Sequence, residues 1–297
     1  MKISVVGTGR VGTATAFALV TRAVPHELVL VGRNRDRTTG DALDLLHASA
    51  LIRPIRVVSG DVADTAGSDI VVVAVSYSSE LTSCRLDAAE QNARLLREVI
   101  PPLAAGSPNA VFVVLTNPVD VATYVTLKAS GFPPGRVMGS GTLIDTARLR
   151  ALLSRETGIN AVDIRAYMLG EHGDSQFAAL SVASVGGIRL DPADPTVTAA
   201  VGEARRGGYE VARWKGYTNY AVAVSAALIC EAVADDARTV LPVSTLVDGY
   251  QGVRDVCLSL PCVVGRGGIS RVLAVDLSDA EAAQFRHSAG VIRGVLD

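Results

Sequence analysis

The run Lys2–Val6 ends in Gly7-Thr8-Gly9-Arg10-Val11-Gly12 and passes straight into the apolar, alanine-rich stretch Val11–Val20. Few geometries call for three glycines at that spacing between a strand and a helix. The first permits a tight turn, the second lets the backbone be approached closely, and the third lets the helix pack against the strand. The helix N-terminus left open there favours negative charge. Gly7, Gly9, Arg10, Val11 and Gly12 are therefore expected to surround the pyrophosphate of a dinucleotide. A second strand candidate at Glu27–Val31, at the distance a βαβ unit requires, argues against a merely structural turn.

Strand and helix signals go on alternating. Gly40–Ala50 reads as a helix, Ile55–Val58 and Ile70–Val75 as strands, and Leu86–Ile100 as a helix with apolar residues near the 3.6 period. Val111–Leu115 is a further buried strand, and a helix follows from Val119. The second half changes pattern. Arg148–Thr157 is helical, and Arg165–Leu169 and Phe177–Val185 read as strands, with a hairpin turn at Gly186-Gly187. A helix from Val197 breaks near Gly216 and resumes to Ala234. Leu241–Leu246, Val253–Leu260 and Val272–Leu277 suggest antiparallel strands, and Ser278 with Glu281 forms a capping-box pattern before a last helix. The expected class is α/β: a Rossmann-type parallel sheet domain over 1–143, then an α+β substrate or catalytic domain over 144–297.

Composition closes off other classes. A formal net charge of −2 offers no basic footprint for nucleic acid. No stretch is long and apolar enough for a membrane span or a signal peptide. The cysteines Cys84, Cys230, Cys257 and Cys262 are scattered, and Cys257 and Cys262 lack the partners a zinc site needs. A cytoplasmic protein with buried free thiols and no metal is expected.

At the end of the second strand a carboxylate usually grips the ribose 2′-hydroxyl of NAD. Gly32 stands there, followed by Arg33 and Arg35, which suit a 2′-phosphate. NADP is thus favoured over NAD, unless these arginines are solvated and Asp36 substitutes for the carboxylate. Asn117, after the strand Val111–Leu115, is placed to meet the ligand, with a helix cap as the alternative. Of the four histidines, His172 alone lies in a polar, glycine-flanked turn, Gly170–Ser175. Histidine suits proton transfer because its pKa lies near neutrality.

Several of these pieces occur together in one known family. The Gly7–Gly12 turn, Arg85-Leu86-Asp87, Thr116–Asp120, Gly139–Thr142 with Asp145–Arg148, Gly170–Ser175, Lys215–Thr218 and Pro242–Thr245 make the chain resemble the L-lactate/L-malate dehydrogenases over nearly its whole length. The resemblance implies catalytic roles for His172 as proton donor, Asp145 as its carboxylate partner and Arg85 on a lid loop that polarises the carbonyl. It implies that Arg148 clamps the substrate carboxylate, that Thr218 lines the pocket, and that Asn117 contacts both the nicotinamide and the reacting oxygen. It also implies a homodimer or homotetramer, with Tyr220–Ala234 as a candidate subunit face or else internal core.

The resemblance breaks at the residues that choose a substrate. Six residues before the lid arginine, lactate-type enzymes carry Gln and malate-type enzymes Arg; here it is Ser79. Without an arginine, a second substrate carboxylate lacks a partner. Ser79 and Gly208 both leave room, Thr82 replaces a loop glycine, and Glu80 either meets a polar side chain or faces solvent. The expected substrate is a small-molecule 2-oxo or 2-hydroxy monocarboxylic acid of the L series, bulkier or more polar than pyruvate. An ordinary L-lactate dehydrogenase and then a malate dehydrogenase are the alternatives, followed by a 2-imino acid reductase or a non-catalytic binding protein. Arg150 and Arg165 match positions that bind an anionic sugar phosphate in some bacterial relatives.

Overall fold

The computed structural model describes residues 1–77 and 85–296, with the side chains of 85–88 left aside. Six parallel strands form its centre: β1 (Lys2–Val6), β2 (Glu27–Val31), β3 (Arg56–Gly60), β4 (Ile70–Val73), β5 (Val111–Val114) and β6 (Val137–Gly139). Their order is β3-β2-β1-β4-β5-β6. β4 and β5, Ile-Val-Val-Val and Val-Phe-Val-Val, are buried throughout, as strands covered by helices on both faces must be. The covering helices are α1 (Arg10–Thr21), α2 (Arg35–Ala50), α3 (Arg85–Gly106) and α4 (Val119–Ser130). The strand order reverses between β1 and β4, and a ligand crevice opens at such a switch point.

The second half begins with α5 (Leu143–Thr157). Short strands follow: β7 (Ile164–Arg165), β8 (Met168–Leu169), β9 (Phe177–Ala178), β10 (Ser184–Val185) and β11 (Ile188–Arg189). Next come α6 (Pro195–Lys215), α7 (Tyr220–Ala234), the long β12 (Thr239–Asp248) and β13 (Arg254–Gly265), β14 (Gly268–Val272) and α8 (Asp279–Leu296). β12, β13 and β14 are antiparallel to one another, and β12 pairs with β6 through Ser244 and Gly139. One nine-stranded sheet therefore runs through both halves. Leu149, Leu153, Met168 and Val197 belong to a second, smaller core between α5 and α6. No described helix is long and apolar enough to cross a membrane.

Several elements depart from expectation for local reasons. α2 starts five residues early because the Asn34 side chain caps it, accepting the Arg37 N–H at 3.0 Å, a contact worth about 1 kcal/mol. α3 continues through Pro101 and Pro102, where Leu103 and Ala104 are buried against the core. α5 begins at Leu143, which puts Asp145 in its first turn. Arg165–Leu169 is two strands, since β7 pairs with β10 and β8 with β9. Phe177–Val185 breaks at a 3-10 turn, Leu180–Val182, where Glu281 takes the Ser181 N–H at 3.0 Å. The expected strand Val272–Leu277 survives only at its first residue, the end of β14. Its last ladder bond runs from the Leu273 N–H to the Pro261 carbonyl, and Pro261 has no N–H to return. The capping box at Ser278 and Glu281 forms. α7 packs mostly inside, leaving Tyr220 and Val224 exposed.

Candidate active site

The turn between β1 and α1 is shaped by what its glycines leave out. Gly7 has φ +105°, and a Cβ there would lie 2.4 Å from the Ala74 carbonyl oxygen. A Cβ on Gly12 would lie 1.8 Å from the Gly7 oxygen. A Cβ on Gly9 would meet nothing within 4 Å, so its backbone faces open space. α1 begins there with no side-chain cap. The turn is thus a cradle for an anionic group at a helix N-terminus, and Arg10 at its rim stacks over the Tyr217 ring, 4.3 Å from the centroid.

Gly32 has a steric cause that the sequence did not disclose. A Cβ would lie 2.0 Å from Thr8 Oγ1 and 2.4 Å from Thr38 Oγ1, and these two hydroxyls hydrogen-bond to each other at 2.9 Å. Arg35 is the first residue of α2, and its guanidinium pairs with Asp61 at 2.5 Å. That pairing offsets its charge as a phosphate partner. Arg33 is exposed.

At the other end of the crevice, α5 carries Asp145 and Arg148 one turn apart on one face. Asp145 is 1% exposed. Its Oδ1 accepts from Arg148 Nη1 at 2.6 Å, and its Oδ2 lies 2.6 Å from His172 Nδ1. His172 sits in the loop after β8, behind Gly170, whose φ of +86° makes the turn and whose Cβ would strike Ser288. The His172 N–H donates to Asp120 Oδ2 at 2.7 Å. With Nδ1 engaged, Nε2 is left for a ligand, and 24% of the side chain remains accessible. Burial is the strongest single influence on His172 and lowers its pKa, but the charge and hydrogen bond of Asp145, with the charge of Asp120, raise it above the ordinary value. Burial likewise pushes Asp145 up, yet His172 and Arg148 hold it below the usual carboxylate range. The pair favours an imidazolium beside a carboxylate.

His172 lines a cleft of about 560 Å³ whose far wall is the α8 face Val291, Ile292 and Val295, with His287 beside it. Ala89, Pro118 and Val121 form the apolar floor, and Asn117, Glu171 and Asp174 also border it. No lysine or arginine is among its described lining residues. Arg148 stands outside that lining, over the two glycines of α6: a Cβ on Gly207 would press on its Cδ at 2.8 Å, and one on Gly208 would lie 3.6 Å from both terminal nitrogens.

The structure brings together His172, Asp145, Arg148, Gly208 and Asn117. Asn117 is exposed and is not a helix cap, since Pro118 holds that position in α4. Thr218 lies half-buried in the connection from α6 to α7. Of the expected lid, Ser79, Glu80, Thr82 and Cys84 lie outside the described residues, as does the side chain of Arg85, the first residue of α3. Arg150 donates to the Ala166 carbonyl at 3.0 Å and faces the Tyr167 ring, while Arg165 is exposed. Cys257 and Cys262 are buried free thiols on β13, and no group of metal-ligating side chains forms among the described residues.

Three contributors went unassigned in the sequence: Asp120, Gly207 and Asn92. Asn92 accepts from the Tyr77 N–H and donates to the Asn117 carbonyl, both at 2.8 Å. Its signal was available, because Asn92 falls on the buried stripe of α3 with Ala89, Ala93 and Leu96.

Comparison with known proteins agrees with this layout. The family profile of the lactate/malate dehydrogenase NAD-binding domain matches residues 1–139, and that of the alpha/beta C-terminal domain matches 142–297. An L-lactate dehydrogenase of Clostridium botulinum strain Hall is 39% identical over 305 residues, covering all of this chain and 96% of the relative. One from Synechococcus sp. strain JA-3-3Ab is 41% identical over 302 residues, covering 100% and 99%. Among solved structures, the minor L-lactate dehydrogenase of Enterococcus mundtii in its ligands-bound form superposes with a TM-score of 0.95 at 32% identity, covering 100% of this chain and 97% of that one. MGS-M5, a lactate dehydrogenase from a Medee basin deep-sea metagenome library, gives 0.95 at 33% identity, covering 100% and 98%.

Proposed function

Because the chain belongs to the lactate/malate dehydrogenase family, we propose that it transfers a hydride between a nicotinamide dinucleotide and the C2 atom of a 2-oxo or 2-hydroxy monocarboxylic acid. The observation that carries this reading is the His172–Asp145–Arg148 array, with both Asp145 oxygens engaged at 2.6 Å. Gly7, Gly9 and Gly12 hold the dinucleotide, which when bound supplies or accepts the hydride. Arg148 grips the substrate carboxylate through two N–H donors. In reduction, His172 gives its Nε2 proton to the carbonyl oxygen as C2 becomes tetrahedral; in oxidation it takes that proton back. Asp145 keeps the Nδ1 proton in place and supports the imidazolium. Arg85 is assigned to polarise the carbonyl, and Asn117 to meet the nicotinamide and the reacting oxygen. Reduction should therefore fall, and oxidation rise, as pH passes upward through the elevated His172 pKa.

Pyruvate and L-lactate are the substrates supported by the relatives' names. A bulkier monocarboxylate is the second reading, favoured by the large, mostly apolar cleft beside His172; the place over Gly207 and Gly208 is taken by Arg148 and adds no room. The lack of a lysine or arginine among the described lining of that cleft, with Glu171 and Asp174 on its border, opposes a second substrate carboxylate. For the cofactor, NADPH is the finer reading: position 32 carries no carboxylate to repel a 2′-phosphate, and Arg33 is free to approach one. The Arg35–Asp61 pair limits that preference, so NADH should also be used. The test is nicotinamide oxidation with NADH and with NADPH against pyruvate, oxaloacetate, 2-oxoisocaproate, phenylpyruvate and a 2-oxo acid with a cationic side chain. Turnover of a monocarboxylate supports the reading, and the best member decides between pyruvate and a larger acid. Oxaloacetate as best substrate, or no turnover with either cofactor, overturns it.

A homodimer or homotetramer fits the exposed apolar residues Leu43 and Leu46 on α2, Leu51 just beyond it, and Trp214 and Tyr220 on α6 and α7. Sedimentation at micromolar concentration should give a multiple of the 30.8 kDa chain; a monomer there contradicts this assembly. The buried free thiols Cys230, Cys257 and Cys262 fit a reducing compartment such as the cytoplasm.

A further inference from the structure

His172 is held by two carboxylates, not one. Asp145 takes the ring; Asp120, in the first turn of α4, takes the main chain. Asp120 is 1% exposed. Its Oδ2 accepts the His172 N–H at 2.7 Å, and its Oδ1 accepts the Ser244 hydroxyl from β12 at 2.6 Å. Both oxygens accept, as suits an ionised carboxylate, yet no lysine or arginine pairs with it among the described residues. Among the described residues, the positive charge that acts on it is that of the His172 imidazole itself.

We propose that Asp120 is a positioning residue whose negative charge, buried against the His172 backbone, sustains the proton affinity of the imidazole. The proposal rests on reading His172 as the proton donor and acceptor of the reaction. Burial pushes the Asp120 pKa up to about 6, with the Ser244 and His172 hydrogen bonds acting against burial. Near neutrality the carboxylate is therefore still largely ionised, but it protonates under mildly acidic conditions, and its support for the imidazolium fades there.

The other charges around the pair leave this one distinct. Asp145 and Arg148 face His172 from α5 and act in opposite directions. Glu171 and Asp174 lie in its own loop, and His287 faces the same cleft from α8. Cys257 of β13 faces Asp120, but its thiol pKa is raised well above the ordinary value, so it stays neutral. Ser244 contributes a dipole and no charge.

A purely structural role would be met by asparagine. Its amide oxygen can accept the His172 N–H, and its amide nitrogen can donate to Ser244, whose hydroxyl reverses from donor to acceptor. Asp120→Asn thus retains both contacts and removes the charge alone. The His172 ring is followed by NMR of the histidine-labelled protein through a pH titration, with His172→Gln identifying its signal among the four histidines. In Asp120→Asn the His172 midpoint should fall by roughly one pH unit, as expected for losing a buried opposite charge held against the same residue. Ser244→Ala, which withdraws a donor favouring the ionised carboxylate, should shift it the same way by less, and it keeps the test available if the first variant folds poorly. The limb of the pH–rate profile set by His172 should move with the midpoint, while KM for the 2-oxo acid changes little.

A His172 midpoint at the wild-type value in both variants overturns the proposal. So does a uniform loss of kcat with the limb unmoved, which is the mark of a structural role. If the midpoint falls but no 2-oxo acid is reduced by the wild type, Asp120 acts as proposed and the reading of the reaction is what fails.

Discussion

Asp145→Asn should lower kcat for 2-oxo acid reduction by roughly 10³-fold, the middle of the range for general acid–base catalysis, while leaving dinucleotide binding nearly intact. Two losses combine. The amide has one acceptor where the carboxylate has two, so it cannot serve both His172 Nδ1 and Arg148 Nη1, each now at 2.6 Å. The imidazolium also loses its main counter-charge, and its pKa falls toward the value that burial alone would set. The residual reduction rate should then begin to decline at lower pH than in the wild type. Steady-state kinetics across pH, with cofactor affinity measured by fluorescence, checks both parts. Loss below tenfold, with the profile unmoved, would remove Asp145 from the mechanism.

Arg148→Lys should lower kcat/KM for the 2-oxo acid by roughly 10²-fold, mostly through KM. A charge-assisted hydrogen bond contributes about 1.5–3 kcal/mol, and a lysine amine at this position keeps at best one of the two that a planar guanidinium makes with a carboxylate. Arg148 lies against Gly207, whose missing Cβ admits its stem, and over Gly208. The shorter-reaching amine should leave that space unfilled. Cofactor affinity should not change, because Arg148 lies at the far end of the crevice from the Gly7–Gly12 cradle. A fall in kcat with KM unchanged would instead place Arg148 on the reacting atoms.

What could be read from the sequence was what is local in it. The glycine turn, its strand and its helix are consecutive, so their spacing alone is diagnostic. His172 stood out because its neighbours Gly170 and Gly173 are residues that a packed strand would not choose. Asp145 and Arg148 came from resemblance, and their contact follows from a helix that begins earlier than expected. The features missed depend on partners distant in sequence. Gly32 reads as a missing carboxylate until Thr8 and Thr38 are seen to occupy the place of its Cβ. Arg35 reads as a phosphate ligand until Asp61 is found beside it. Asp120 was visible in Thr116–Asp120 but gained a role only when Ser244 and His172, 124 and 52 residues away, were placed on its two oxygens.

The nine-stranded sheet bears on how this chain would come apart. β6 pairs with β5 on one side and with β12 on the other, so a cut after position 143 would strip its outer neighbour and leave an unpaired edge, a template for aggregation. The shared ladder also couples the halves energetically. A dinucleotide bound at the β1–α1 turn adds RT ln(1 + [L]/Kd) to the stability of whatever unfolds with that turn, about 2.7 kcal/mol at a hundredfold excess over Kd. With the ladder continuous from β3 to β14, the part that melts with the turn includes β13, whose Ser259 bridges to Gly170 just ahead of His172, and cofactor supply becomes a determinant of how long the proton-transfer end survives.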